Sequence, residues 1–419
     1  MPHDGNRAME FLKRISFPRL GGSEDEKKAA EMIADELRAM GLDPRIEEFE
    51  IWSFANPVAK VQVLEPYTAD IEASALGLSG STPPEGIEAP LKYIETGTVD
   101  FIHDVEGCIT LATGNGGAKG YERSKKKGVV GRLLIGRQGA GLFNLAVNSF
   151  QFERFGKLPG AWIRYEDGLD LIRKGATKVR LSVSQDEFKT MSRNVVVDIP
   201  GTSEPEEIIL VGAHFDSVYD IDGAHDNAAG SVTILEMARH FQAHPAKRTL
   251  RFVWFGTEEL GLKGSWAYIE KYAEDLKKHV FMVNVDVAGS IIGSNNASVM
   301  ASDKVLNYLD AMGKEYGIGL NARSSIYSGD CIPLGHKGVP SVTFARGGGG
   351  PIHTKADTVH DIDAKHLAML GDFVLDFTKR MANAVSFPFP RDIPENIKRQ
   401  TKEYIENAGK KLEENTEKK

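Results

Sequence analysis

The chain holds only two cysteines in 419 residues, Cys108 and Cys331. Far apart in sequence, they offer neither a disulfide framework nor a paired-thiolate zinc knuckle, and they favour a reducing compartment. Long apolar runs are missing as well. Nothing approaches the roughly 20 residues that cross a bilayer, and Met1 to Arg14 has no apolar stretch long enough for a signal peptide. A soluble, cytoplasmic chain with no membrane partner is the expectation. A basic excess is absent too: the net charge of −8 gives no electrostatic footprint for nucleic acid. The basic cluster Lys125 to Lys127 reads as a solvated turn before the apolar run Val129 to Ile135. Several catalytic signatures are lacking: His-Glu-x-x-His, the Gly-x-Ser-x-Gly elbow, the Gly-x-x-x-x-Gly-Lys phosphate loop and a Gly-x-Gly-x-x-Gly turn after a strand. Serine hydrolase and nucleotide-binding readings lose their anchors.

What is present is a rhythm. Ile208 to Ala213, Leu250 to Phe255, Val280 to Val285 and Val339 to Ala345 are short, apolar and rich in β-branched and aromatic residues, as strands buried on both faces should be. Helical patterns such as Ser231 to Phe241 and Val305 to Tyr316 fall between them, which predicts an α/β core with a mixed, mostly parallel sheet. Ser23 and Glu26 form a capping box ahead of a helix whose apolar positions run from Ala29 to Met40. The length exceeds one compact core, and from about Ser53 to Thr190 the texture becomes punctuated by Gly and Pro. Four regions are expected: 1–52, the N-terminal part of the core; 53–190, an inserted β-rich domain; 191–390, the core proper; and 391–419, a charged tail forming an exposed helix that frays. Within the insert, strands are expected at Gly107 to Ala112, Val129 to Ile135, Gly160 to Ile163 and Lys178 to Val183, with a helix at Gly168 to Lys174.

Three of the core strands end in polar side chains, and open parallel sheets bind ligands outside the carboxyl ends of their strands. His214, Asp226, Glu259, Asp286 and His353 are therefore metal-capable side chains delivered to one place. In His214-Phe215-Asp216, residues two apart on a strand point the same way, so Asp216 can accept from the imidazole nitrogen that holds no metal. Asp226 lies in a tight loop where a helix begins; it can bridge two metals, or it or Asn227 can cap the helix. Glu258 and Glu259 are neighbours facing opposite ways, so one can bind metal while the other takes a proton from the attacking water. Asp286 ends a buried strand, where a carboxylate is costly unless paired or metal-bound. His353 follows Gly347 to Gly350, which let the backbone turn back to the sheet. Histidine and carboxylate donors suit two divalent ions, zinc before manganese or cobalt.

At these residues the sequence resembles the di-zinc aminopeptidase family that includes bacterial leucyl aminopeptidases and glutamate carboxypeptidase. The matching segments are Gly212 to Ser217, Gly223 to Gly230, Glu258 to Ser265, Asn284 to Asp286 and His353 to Thr358. The resemblance implies Asp226 as the bridging ligand, His214 and Asp286 on one zinc, Glu259 and His353 on the other. It makes Asp216 the partner that orients His214 and Glu258 the general base. The insert is similar to a protease-associated domain, with Tyr165 to Leu169 its most suggestive stretch. Tyr327 stands near the family's oxyanion-stabilising tyrosine, offset by about one residue, and Ser328-Gly329-Asp330-Cys331 replaces the usual Ser-Asp-His; Cys331 reads as a small buried thiol.

The implied activity is hydrolysis of the terminal bond of a peptide substrate, an aminopeptidase first. Carboxypeptidase, dipeptidase and glutaminyl cyclase chemistries stay open, as does a non-catalytic binding protein on the same fold. Arg346, beside the glycine run, is either a clamp for a substrate carboxylate or a structural arginine. Homo-oligomerisation is left open.

Overall fold

The computed structural model describes residues 3–348 and 352–412. The expected turn through Gly349, Gly350 and Pro351, and the last residues of the tail, lie outside them. The chain divides into two compact units: Met1–Ile51 with Thr190–Thr401, and Trp52–Lys189 with Lys402–Lys419. The strands Arg45–Glu65 and Lys178–Ile199 each give residues to both.

In the first unit the sheet runs in the order Leu320–Ser324, Ser294–Met300, Ser341–Gly347, His279–Val285, Glu204–His214, Arg248–Phe255 and the carboxyl end of Lys178–Ile199. The four strands from Ser341–Gly347 to Arg248–Phe255 are mutually parallel. The strand Ser294–Met300 pairs antiparallel with Ser341–Gly347, and Lys178–Ile199 with Arg248–Phe255, so the sheet is mixed and mostly parallel. Both faces are covered. On one, Val211, Phe252, Val283 and Phe344 pack with the helices Gly5–Ile15, Glu24–Ala39, Ala229–Ala243 and Ala364–Asn383. On the other, the Phe255 ring meets Tyr268 edge-on at 5.9 Å, and Cys331 Sγ lies 3.8 Å from Met282 Sδ. Two covered faces are why these strands read as unbroken apolar runs rather than as alternation. The last of the four starts at Ser341, not Val339, because Pro340 has no N–H for the ladder.

The second unit has a sheet of its own. Ile87–Tyr93, Ile109–Ala112, Gly131–Ile135 and Gly160–Ile163 are parallel neighbours, bounded by antiparallel pairing to Lys178–Ile199 and Ala73–Ala75. The helices Gly117–Lys126, Ser149–Phe155 and Tyr165–Arg173 alternate with the strands, so this unit is richer in helix than its punctuated sequence suggested. Lys125 to Lys127 end a helix instead of forming a turn: Lys126 pairs with Glu122 at 2.7 Å, and Lys125 Nζ donates to the Lys157 carbonyl at 2.7 Å. Lys178 to Val183 and Asn194 to Ile199 are the two ends of one 22-residue strand. The polar stretch between them alternates in exposure and need not interrupt it. The helix Glu395–Asn407 is not the exposed, fraying tail expected, since Ile397 and Ile405 are buried. Among the described residues, no helix is long and apolar enough to cross a membrane.

Candidate metal centre

His214 closes its strand, Asp286 follows His279–Val285, and Glu258 and Glu259 follow Arg248–Phe255 after Gly256 and Thr257. All stand at carboxyl ends of parallel strands, where the backbone stops pairing and side chains face outward. Asp226 sits in the turn before Ala229–Ala243, and His353 in the loop after Ser341–Gly347. The fold brings the five together. Asp226 Oδ1 lies 3.0 Å from His214 Nε2, and its Oδ2 2.9 Å from His353 Nε2. Asp286 Oδ1 is 3.5 Å from His214 Nε2, and Glu259 Oε2 is 3.4 Å from His353 Nε2. Two donor triads result, His214-Asp226-Asp286 and Asp226-Glu259-His353, each with its ligand atoms within 4.8 Å of one another. They share Asp226.

The chemistry of this cluster fits divalent cations. Burial works against charge on His214, yet the neighbouring carboxylates of Asp216, Asp226 and Asp286 prevail and hold its pKa well above the ordinary value. His353 behaves likewise beside Glu259 and Asp226. Even with both imidazoles protonated, the carboxylates of Asp216, Asp226, Asp286, Glu258 and Glu259 outnumber them. Burial raises Asp286 and Glu259, and Glu259 Oε1 has no hydrogen-bond partner among the described residues. Excess buried negative charge of this kind is compensated by metal, and an oxygen and imidazole donor set suits zinc, manganese or cobalt.

A second ring of residues fixes the first. Asp216 Oδ1 lies 3.4 Å from His214 Nδ1. The same carboxylate accepts from the N–H of Glu258 at 3.0 Å and of Glu259 at 3.2 Å, so it fixes both glutamates while lying beside the His214 ring. Asp357 accepts from the N–H of His225 at 2.7 Å and of Asp226 at 3.1 Å. Ala228 stands at the N-cap of the helix, and it is Asn227 whose Oδ1 accepts from a first-turn N–H, that of Gly230, at 3.0 Å; Asp226 points at the histidines instead. Buried Arg19 donates to the carbonyls of Phe215, Ile15, Phe17 and Gly223 and so pins the loop after His214. Asp357 and Arg19 had no role in the sequence reading. Asp357 lay within a matching segment, whereas Arg19, in Phe17-Pro18-Arg19-Leu20, gave no signal.

Burial, reinforced by Glu259, Asp330 and Asp286 against the pull of His214, raises Glu258 well above the usual carboxylate range. Tyr327 is half-buried, and burial together with the charges of Asp286, Asp226 and Glu258 raises its phenol. Gly329 explains the local sequence: a Cβ there would come within 3.0 Å of Asp286 Oδ2 and 3.2 Å of the Tyr327 ring. Cys331 is a buried thiol 3.1 Å from Thr343 Oγ1, pushed up to about 12 by burial. Arg346 is structural. Its guanidinium donates to Ser290 O at 2.6 Å, Asn295 Oδ1 at 3.1 Å and Ile291 O at 3.3 Å.

Fold and donor set together define a metal-dependent hydrolase on a mixed α/β sheet. Residues 194–378 match the model of peptidase family M28. It is similar to aminopeptidase YwaD of Bacillus subtilis (strain 168), 29% identical over 421 aligned positions that take in 96% of this chain and 89% of that one. Among solved structures it is similar to BSAP, a zinc aminopeptidase from Bacillus subtilis, with a TM-score of 0.76 at 24% identity over 94% of this chain and 99% of that one. The peptidase M28 precursor from Shewanella amazonensis SB2B matches with a TM-score of 0.76 at 25% identity, over 92% and 95% of the two chains.

Proposed function

We propose that the protein is an aminopeptidase that holds two divalent ions, zinc in preference to cobalt or manganese, and removes the N-terminal residue of a peptide. The observation that carries this reading is the split carboxylate of Asp226, one oxygen 3.0 Å from His214 and the other 2.9 Å from His353. His214 and Asp286 would hold one ion, Glu259 and His353 the other, with Asp226 between them. When bound, the pair supplies Lewis acidity and lowers the pKa of the attacking water.

The chain's own residues do the rest. Glu258, raised in pKa and free of the ligand set, accepts the water's proton as the new C–O bond forms, then delivers it to the amine nitrogen as the C–N bond breaks. Asp216 keeps His214 in register and, through two backbone N–H groups, keeps Glu258 and Glu259 apart in their roles. Tyr327 donates its hydroxyl to the developing oxyanion. Cleavage at the amino end is favoured over the carboxypeptidase reading by the relatives' names and by Arg346, whose fork is occupied by its own fold. The second unit is read as a protease-associated lid. A dipeptide-to-long-peptide turnover ratio unchanged after replacing 53–189 by a short linker would remove the lid from this reading. A cytoplasmic setting, supported by two buried free thiols, is tested by cell fractionation.

Glu258→Ala should keep about two metal ions per chain while kcat falls by about 10²–10⁴-fold. Unaltered turnover would end the assignment, and a purified chain without tightly bound metal would favour a binding protein. A free N-terminus on the substrate should be required: turnover of N-blocked peptides at a similar rate would move the activity to another exopeptidase class.

A further inference from the structure

In the second unit, alternation along the strands turns Leu133, Ile135, Ala161 and Ile163 into the core. Arg132, Leu134 and Trp162 therefore face the other way. Leu134 stands opposite Trp162 on the paired strands, and Arg132 opposite Gly160, whose lack of a side chain leaves the guanidinium room. This face lines a cavity of about 290 Å³, at the small end of ligand pockets, which run from about 300 to 1,000 Å³.

Arg132 differs from the other buried arginines. Arg19 donates to backbone carbonyls, Arg346 to backbone carbonyls and Asn295 Oδ1, and Arg251 pairs with Asp198 at 2.6 Å. Arg132 is 5% exposed and lies over the Tyr121 ring at 4.7 Å, and its Nε has no hydrogen-bond partner among the described residues. No carboxylate among them acts on it, and burial lowers its pKa. Leaving a guanidinium buried without an anion is costly. Trp162 Nε1 is a second buried donor without an acceptor among the described residues. The helix Gly117–Lys126 turns its positive end to the same cavity, which Asn115 and Gly117 line, with Asn115 Oδ1 accepting from Gly117 N–H at 2.9 Å. Leu76, Leu134 and Val147 give the cavity one apolar side, while Gln151, Tyr404 and Asn407 add polar groups elsewhere in its lining.

We propose that this cavity is a binding site for a small carboxylate with an apolar body. The Arg132 fork and the Trp162 N–H take the carboxylate, and Leu76, Leu134 and Val147 take the apolar part. The site is separate from the metal centre and holds whether or not the aminopeptidase reading does.

The test follows the indole N–H resonances of the four tryptophans in the full-length, metal-loaded protein, with Trp162 assigned by Trp162→Phe. Isovalerate should shift the Trp162 signal saturably, while isovaleramide and inorganic phosphate leave it in place. Arg132→Met should weaken isovalerate by about tenfold or more and, having no ion pair to lose, should melt no lower than the parent. Ala146→Phe, which fills the cavity from its rim, should abolish the shift and decides the matter if Arg132→Met does not fold. The proposal is overturned if isovalerate gives no saturable shift, if the amide or phosphate acts equally well, or if binding survives either substitution.

Discussion

Glu26 stands three residues after Ser23, the spacing of a reciprocal capping box, and half of that box forms: Ser23 Oγ accepts from Glu26 N–H at 3.0 Å. The carboxyl does not return to the cap. It turns inward, accepting from Gly22 N–H at 2.8 Å and from the Ser192 hydroxyl, with Thr257 Oγ1 at 3.3 Å. Thr257 immediately precedes Glu258, so this buried group supports the turn that carries the proposed base. Burial, opposed by the bonds from Ser192 and Gly22, pushes its pKa up to about 8 from 4.5. Between those values the folded protein keeps a proton that the unfolded chain has lost. The group's contribution to stability is therefore complete below about pH 4.5 and declines as the pH rises toward 8. Glu26→Gln, neutral throughout, should gain on the parent by about 1 kcal/mol per pH unit across that window. Denaturant unfolding of both metal-loaded proteins at several pH values measures it, and a pH-independent difference would mean that Glu26 is ionised in the fold. The Ser23 spacing made the cap legible; the inward turn of the carboxyl was not, because it depends on Ser192 and Thr257, far away in sequence.

At the scale of elements, the turn between Gly223 and Gly230 joins two ligand positions mechanically. Asn227 Nδ2 donates to Val285 O at 2.9 Å, and its Oδ1 accepts from Val287 N–H at 3.1 Å. It thereby grips the backbone on both sides of Asp286 while sitting beside Asp226. Gly230 permits the approach, since a Cβ there would lie 2.3 Å from Asn227 Oδ1 and 2.5 Å from Val285 O. Asn227→Ala should weaken metal binding by about 10- to 100-fold, as loss of an outer-shell partner does, with both ions affected because Asp226 and Asp286 move together. Metal-buffered titration gives the two affinities, and parental values would show that the turn is held by other means. The core strands were legible from their apolar runs because both sheet faces are covered. Arg45–Glu65 was not anticipated, because its burial alternates without a fully buried run and its residues are mixed in polarity. The helix Tyr165–Arg173 was expected, at Gly168 to Lys174, but the second unit's other two helices escaped for a related reason: Gly117–Lys126 is rich in Gly and Lys, and only its end registered, as a basic cluster.

Across the whole molecule, the convergence of His214, Glu259 and Asp286 was legible from their settings, since strand ends of one parallel sheet must converge whatever the intervening chain does; Asp226 lies in a turn, and His353, in a loop, rested chiefly on the family resemblance. The inequality between the two triads was not legible, because it depends on how deeply each lies. His214 is 1% exposed and flanked by buried Asp226 and Asp286, whereas the His353 side chain is 23% exposed and comes from a loop. A donor on a strand end is held by the sheet's own hydrogen bonds, while a loop donor must be ordered when the ion arrives, and that ordering costs affinity. The ion between Asp226, Glu259 and His353 should therefore leave first under stepwise chelation. His353→Ala should leave about one tightly bound metal per chain, and His214→Ala, which removes the buried donor, should weaken both by disturbing Asp226 as well. Metal content after graded dialysis against a chelator, read beside activity, separates the cases. Simultaneous loss of both ions from the parent, or retention of two in His353→Ala, would dismantle the asymmetric two-ion arrangement and leave His353 as a loop residue near the site.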